Sequence, residues 1–282
     1  MPDSASEKKK RRFGAFDLFL LIELIALVIV EFFPPRYAEE ETLNTMLSVI
    51  VSRTVGAAFF LPMLFRLRYR VHGTVKMPLG WALAAFLPAL AVCVNNFPWI
   101  GFLGGAVTVT APRSWLWVYV LESLCIGLLE ETAFRGVLYM AILEDRRRDS
   151  KQIFWATVAA SAIFGCVHLF NLFAGAGFGG TILQVGYSFL IGGLCSIVLL
   201  RTGNLWLCVL LHAVYDFGGF FVETLGEGRI WDPVTVTLTA VLGVLAALWL
   251  AYVLWNTTPE SIAGLFAEPK KTNIETEKSE KE

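Results

Sequence analysis

Residues 203–222 read GNLWLCVLLHAVYDFGGFFV, twenty positions among which Asp216 is the one full charge. A helix crossing the roughly 30 Å hydrocarbon core of a bilayer needs about 20 mainly apolar residues, and this stretch has that length. The same texture extends outward from it. Hydrophobic residues fill 56% of the 282 positions and mean hydropathy is +0.63, above the roughly half-apolar usage of soluble domains. Eight stretches qualify as spans: 14–33, 45–65, 79–95, 115–143, 152–173, 181–200, 203–222 and 234–256. The expected fold class is all-α, a polytopic transmembrane helical bundle. A basic N-terminal tail, 1–13, precedes the membrane domain, 14–256, whose chemistry-bearing core is 115–222. A charged tail, 257–282, comes last and reads as solvated and disordered.

A net charge of -1 hides strong segregation. Lys8, Lys9, Lys10, Arg11 and Arg12, then Arg66, Arg68 and Arg70, then Arg146, Arg147, Arg148 and Lys151, then Arg201 fall in alternate loops. The opposite loops hold Glu39, Glu40 and Glu41, and later Glu223 and Glu227 with only Arg229. Basic loops stay on the cytoplasmic side, so both termini are expected there, and eight spans require the same parity. The first run lacks a small-residue cleavage site and carries Glu23 and Glu31, which favours an uncleaved span over a signal peptide. Nucleic acid is excluded as a partner by this charge distribution; the lipid bilayer is the expected surroundings. The five cysteines lie in apolar stretches without paired spacing and read as small buried or lipid-facing residues. His72, in a basic loop, reads as solvated.

Ionisable residues inside a span cost about 2.5 to 3.5 kcal/mol each and face a bundle interior or a cavity. Here Glu122, Glu130, Glu131 and Arg135 share the fourth span, His168 lies in the fifth, and His212 and Asp216 lie in the seventh. Counted from the cytoplasmic helix ends at about 1.5 Å per residue, Glu130 is about 21 Å in, His168 about 24 Å, Asp216 about 20 Å and His212 about 14 Å. Three helices therefore bring polar groups to one layer. Glu131 and Arg135 stand at i and i+4 with the acid first, the favoured order for an ion pair, which leaves Glu130 as the unpaired carboxylate. His212 and Asp216 also share a face, so the carboxylate can orient the imidazole or join it around a water or metal. Phe164 and Asn171 flank His168. Glu122 reads as structural, and Glu23, Glu31 and Arg53 as span-end or interhelical pairing residues.

Peptide hydrolysis needs an activated water, a base for its proton and donors or a metal for the oxyanion. Glu130 is the candidate base, His168 and His212 are candidate proton donors, oxyanion stabilisers or metal ligands, and Asp216 is an orienter or a further ligand. No H-E-x-x-H spacing occurs.

At these residues the chain resembles the CAAX prenyl endopeptidase and bacteriocin-processing (CPBP or Abi) family of intramembrane proteases. The resemblance rests on EETAFR at 130–135, FGCVH at 164–168 and HAVYD at 212–216, in that order on three spans. It implies that Glu130 activates water, that Glu131 and Arg135 support it, and that His168 and His212 complete the site. It also implies a membrane-protein or lipidated-peptide substrate. The family has been described both as zinc metalloproteases and as glutamate-dependent hydrolases, so zinc on His168, His212, Glu130 and Asp216 stays open at this point. The family's prenyl proteases carry asparagine where this chain has Asp216. Two other functions compete with an endopeptidase: a non-catalytic scaffold or immunity-type protein, and a proton-coupled transporter.

Overall fold

The computed structural model describes residues 15–173 and 175–266, and the basic stretch 8–12 and tail residues 267–282 lie outside the described residues. In chain order come α1 (Ala15–Phe32), α2 (Glu41–Leu67), α3 (Leu79–Asn95), the short α4 (Trp99–Leu103), β1 (Val107–Val109) and α5 (Trp115–Glu131). α5 runs through a π-helical stretch, Thr132–Tyr139, into α6 (Met140–Asp145). Then come α7 (Ser150–Val167) with a 3-10 extension at His168–Leu172, α8 (Phe178–Thr202), α9 (Leu205–Leu225), β2 (Gly226–Gly228), α10 (Pro233–Trp255) and α11 (Pro259–Ile262). The all-α bundle expected from the sequence is the one that forms. Among the described residues five helices are long and apolar enough to cross a membrane: Glu41–Leu67, Ser150–Leu172, Phe178–Thr202, Leu205–Leu225 and Pro233–Trp255. α1, α3 and the α5–α6 rod occupy the other three expected stretches.

Helix starts arise from side-chain acceptors that satisfy exposed backbone N–H groups. Asp149 accepts from the Gln152 amide at 2.8 Å and Asn204 from the Trp206 amide at 2.9 Å. Asp232 accepts from the amides of Val234 and Thr235, with Pro233 at the first helical position, where its missing N–H costs nothing. α8 is the axis of the bundle: every residue from Ile191 to Arg201 is buried. Lipid tails are as apolar as leucine, so close packing rather than escape from water holds such helices together. Gly127 supplies one such approach, since a Cβ there would stand 2.7 Å from the Val209 carbonyl oxygen of α9. That contact seats α5 directly on α9.

Four details depart from expectation. An antiparallel two-stranded ribbon, Val107 opposite Gly228 through Val109 opposite Gly226, ties β1 to β2. The charged tail does not begin as solvated chain at Thr257: Thr257 is fully buried, α11 forms, and Ile262, Leu265 and Phe266 join the main core. The Arg70 amide donates to the Leu265 carbonyl at 2.8 Å, and Arg147 lies 4.0 Å over the Phe266 ring. Three apolar residues spaced through 262–266 are enough to pin this segment, whereas the lysines of the tail sequence all come after Phe266. Arg201 is no loop charge: it is buried, donates to the Val253 carbonyl and Thr257 hydroxyl, and stacks 4.0 Å over Trp81. His72 is half-buried, stacked on Phe65 at 5.0 Å and tilted against Trp206 at 5.8 Å.

Candidate functional site

The acidic pair sits where α5 changes into the π-helical stretch. π-helical turns occur frequently at functional sites. Glu131 and Arg135 face inward, 0% and 2% exposed, with Nη1 and Oε1 2.9 Å apart. Arg135 also lies 4.1 Å over the Phe164 ring of α7, a cation–π contact that stabilises a desolvated guanidinium by about 2 kcal/mol. Gly192 of α8 leaves room for it, since a Cβ there would stand 2.9 Å from Nη2. The same Glu131 oxygen accepts from Nδ1 of His212 at 2.6 Å. Glu131 therefore does more than pair with Arg135. It bridges the arginine to the imidazole and fixes the ring's orientation.

The other nitrogen of His212, Nε2, faces Glu130 Oε2 and Asp216 Oδ2, each at 3.4 Å. Asp216 is thus a longer-range neighbour of the ring, and Glu131 holds the close contact. Phe164 presents its ring edge-on to His212 at 5.9 Å and to His168 at 5.2 Å. His168 opens the 3-10 extension of α7, where its Nδ1 donates to the Phe164 carbonyl at 3.0 Å. That bond makes Nε2 the acceptor nitrogen of a neutral ring. The extension itself is tied to α8 by Asn171, which donates to Gln184 at 2.8 Å.

All of this surrounds a cavity of about 150 Å³ lined by Glu130, His168, His212 and Asp216 together with Arg53, Tyr187 and Tyr215. Glu131 and Arg135 stand behind it as support. The layer expected from counting residues along three helices is thus one cavity. Tyr187 and Tyr215, in ring contact at 5.8 Å, were not anticipated, because a tyrosine among many span aromatics has no distinguishing spacing. Arg53 was anticipated only as a pairing residue, and it does pair, with Glu31 at 3.0 Å. Glu122 lines a neighbouring cavity with Asp216. Tyr119 donates to the carbonyls of Asp216 and Phe217 at 3.1 and 2.9 Å, which fixes the α9 backbone where the acid projects.

Zinc held by Glu130, His168, His212 and Asp216 would need three or four of them aimed at one point about 2 Å away. Among the described residues no three His, Cys, Asp or Glu side chains are so gathered. Nδ1 of His212 is committed to Glu131, and its Nε2 stands in direct contact range of two carboxylates. The residues present do not form a zinc cage, so the chemistry is derived from the side chains themselves.

Residues 112–218 match the family described as type II CAAX prenyl endopeptidase Rce1-like. A 106-residue stretch is 30% identical to CAAX prenyl protease 2 of Saccharomyces cerevisiae, over 33% of this chain and 33% of the yeast protein. The chain thus matches about a third of that relative's length. No solved structure matches. Both matches fall on the family to which the three motifs pointed, and the first ends two residues beyond Asp216.

Proposed function

We propose that this chain is a membrane-embedded endopeptidase of the CAAX type, and that it hydrolyses a peptide bond in a membrane-associated or lipidated substrate with a water activated by Glu130. One observation carries the reading: Glu130, His168 and His212 converge on a single small cavity while Glu131 and Arg135 brace the imidazole from behind. A proton-coupled transporter is less well supported, because transporters often show paired repeats with broken helices in both halves, whereas the ionisable residues of this site come chiefly from the second half of the chain.

Water in the cavity gives one proton to Glu130 as its oxygen attacks the carbonyl carbon. Neutral His168, whose Nδ1–H is tied to the Phe164 carbonyl, accepts at Nε2 a hydrogen bond from the O–H that stays on the attacking oxygen, and so aims its lone pair. The oxyanion takes a hydrogen bond from Nε2–H of His212. Asp216 and Glu131, on the two sides of that ring, stabilise its positive charge in the low-dielectric interior. Glu130 then passes its proton to the leaving amine nitrogen, the C–N bond breaks, and the carboxylate is restored. In this scheme Asp216, which accepts where an asparagine would donate, acts through His212 and does not touch the oxyanion. Both chain termini lie on the cytoplasmic side, by the bias of basic loops.

Purified protein in vesicles, offered membrane-tethered peptides with and without a prenyl group, tests this. We expect cleavage that Glu130→Gln lowers by about 10²–10⁴-fold, the usual share of a general base, and that a chelator leaves within about twofold. Cleavage by Glu130→Gln at the wild-type rate overturns the reading. Phenotypes that survive Glu130→Gln but fail on loop changes support a scaffold instead.

A further inference from the structure

Among the described residues two arginines are buried, and one of them lacks a counter-ion. Arg135 is matched by Glu131 at 2.9 Å. Arg201, next to the last residue of α8 and 7% exposed, is held by neutral groups alone. Its Nη2 donates to the Val253 carbonyl at 3.2 Å, the Asn256 carbonyl at 3.4 Å and the Thr257 hydroxyl at 3.1 Å. Among the described residues Nη1 and Nε have no hydrogen-bond partner. Buried charges are ordinarily paired, so this guanidinium is a charge still to be matched. It lines a cavity of about 310 Å³ between the first turns of α3 and the last turns of α10, walled by Gly80, Trp81, Trp249, Tyr252 and Asn256, and it is the one charged residue in that lining. Trp81 lies under the guanidinium at 4.0 Å. Trp249 stacks on Tyr252 at 5.4 Å and donates from Nε1 to the Ala84 carbonyl at 2.9 Å, which fixes the opposite wall. Trp81 and Tyr252 are 49% and 60% exposed, so the cavity opens outward. It sits at the end of the bundle that carries the basic loops: the Gly73 amide donates to the Gly203 carbonyl, and the Arg70 amide to Leu265. Tryptophan and tyrosine favour the headgroup level of a bilayer.

We propose that this cavity is a binding site for the headgroup of an anionic phospholipid, whose phosphate oxygens accept from Nη1 and Nε of Arg201. The planar fork of a guanidinium suits two oxygens of one phosphate, and basic pockets between membrane helices hold lipid headgroups in this way. One net negative charge matches the one positive charge of the lining. A zwitterionic headgroup brings an ammonium as well, and no carboxylate lines the cavity to receive it. The acyl chains have apolar ground to follow: Leu87 on α3 and Leu245 on α10 are exposed one turn deeper on the stripes that carry Ala84 and Trp249. Bound there, the lipid joins α3 to α10 and cancels the charge at the end of the buried α8 segment. The site shares no lining residue with the 150 Å³ catalytic cavity, so the inference stands apart from the hydrolase reading.

The test uses full-length protein, purified in neutral detergent, stripped of lipid and titrated with phosphatidylglycerol or phosphatidylcholine of identical acyl chains. Binding is read as the rise in thermal midpoint and as the lipid retained in native mass spectrometry. We expect the strongest site of wild type to prefer phosphatidylglycerol about tenfold, the scale of one charge-assisted hydrogen bond. Arg201→Gln should abolish that preference, and Arg201→Lys should keep part of it. Gly80→Phe supplies a second variant that leaves the arginine in place. Gly80 lines the cavity, and a Cβ there meets nothing within 4 Å, so the new ring fills the site, abolishes the preference and leaves the lipid-free midpoint unchanged. It decides the matter if Arg201→Gln fails to fold. Equal binding of the two lipids by wild type overturns the inference. So does a preference that survives Gly80→Phe, which assigns the lipid to the exposed basic loops. Inorganic phosphate or glycerol 3-phosphate that raises the midpoint as far as phosphatidylglycerol at equal concentration marks a site for a free anion and overturns it too.

Discussion

α9 and α1 are both apolar helices with acidic residues inside them, and they use those residues in opposite ways. α9 is seated on α5 through Gly127, buries His212 and Asp216, and has its imidazole held at 2.6 Å by Glu131. α1 buries none of residues 18–32 and touches the rest of the molecule chiefly through α2 and one half-exposed ion pair. A charge at mid-span is costly to insert in any helix. In α9 that cost is offset by fixed partners on neighbouring helices, which gives a rigid site. In α1 it is offset by one half-exposed pair with Arg53, an interaction worth far less than a buried one. Burial and the number of partners, rather than charge itself, separate the acidic residues of the two helices.

That contrast can be broken first at its rigid end. Glu131→Ala leaves Arg135 buried without its ion-pair partner and His212 without its acceptor, and loss of one partner from a buried pair costs about 3–5 kcal/mol. Thermal unfolding in detergent should show a large drop in midpoint together with lost cleavage. An unchanged midpoint would mean that the bridge carries no structural charge balance. Leu265→Ala probes a different rigid contact, in a segment that composition alone would leave in solvent. Leu265 is fully buried, so truncation should cost about 2–5 kcal/mol, measured as a shift in denaturation midpoint. A negligible shift would return 257–266 to the status of a tail.

The legible part of the molecule was the part whose polarity conflicts with its surroundings. Glu130, His168, His212 and Asp216 stood out because each interrupts an apolar span, and helical rise alone brought them to one depth. What spacing did not convey was the connectivity across helices. Asp216, at i+4 from His212, looked like its orienter, yet Glu131 from another helix takes the short contact, because Gly127 lets α5 approach more closely than any rule within one helix describes. Arg201 and the segment 262–266 misled for a related reason: charged or mixed composition near a span end is compatible with water and equally with burial against carbonyls and aromatic rings. Tyr187 and Tyr215 had no signature among 7 tyrosines, 22 phenylalanines and 9 tryptophans.

Two smaller effects concern the α1–α2 ion pair and the loop that carries His72. Glu31→Gln removes a half-exposed pair, worth about 0–1 kcal/mol, so its thermal midpoint should barely move; a drop as large as that of Glu131→Ala would erase the distinction between α1 and α9. His72 is a subtler case. Burial between Phe65 and Trp206 lowers its proton affinity below the ordinary 6.5. The folded state then binds fewer protons than the unfolded one, so stability is whole above about pH 6.5 and declines as pH falls below it. Unfolding midpoints measured between about pH 7.5 and 5.5 should fall slightly in wild type and less in His72→Gln. A wild-type midpoint that rises on acidification contradicts the buried setting of His72.

The most direct test of the central claim is single-turnover cleavage of a membrane-tethered peptide by wild type and Glu130→Gln, reconstituted side by side and matched for thermal midpoint. The account predicts a cut peptide from wild type and a rate lower by about 10²–10⁴-fold from the variant with folding unchanged. Equal rates from the two proteins would contradict it, because the carboxylate that lines the cavity beside His212 would then have no part in the chemistry.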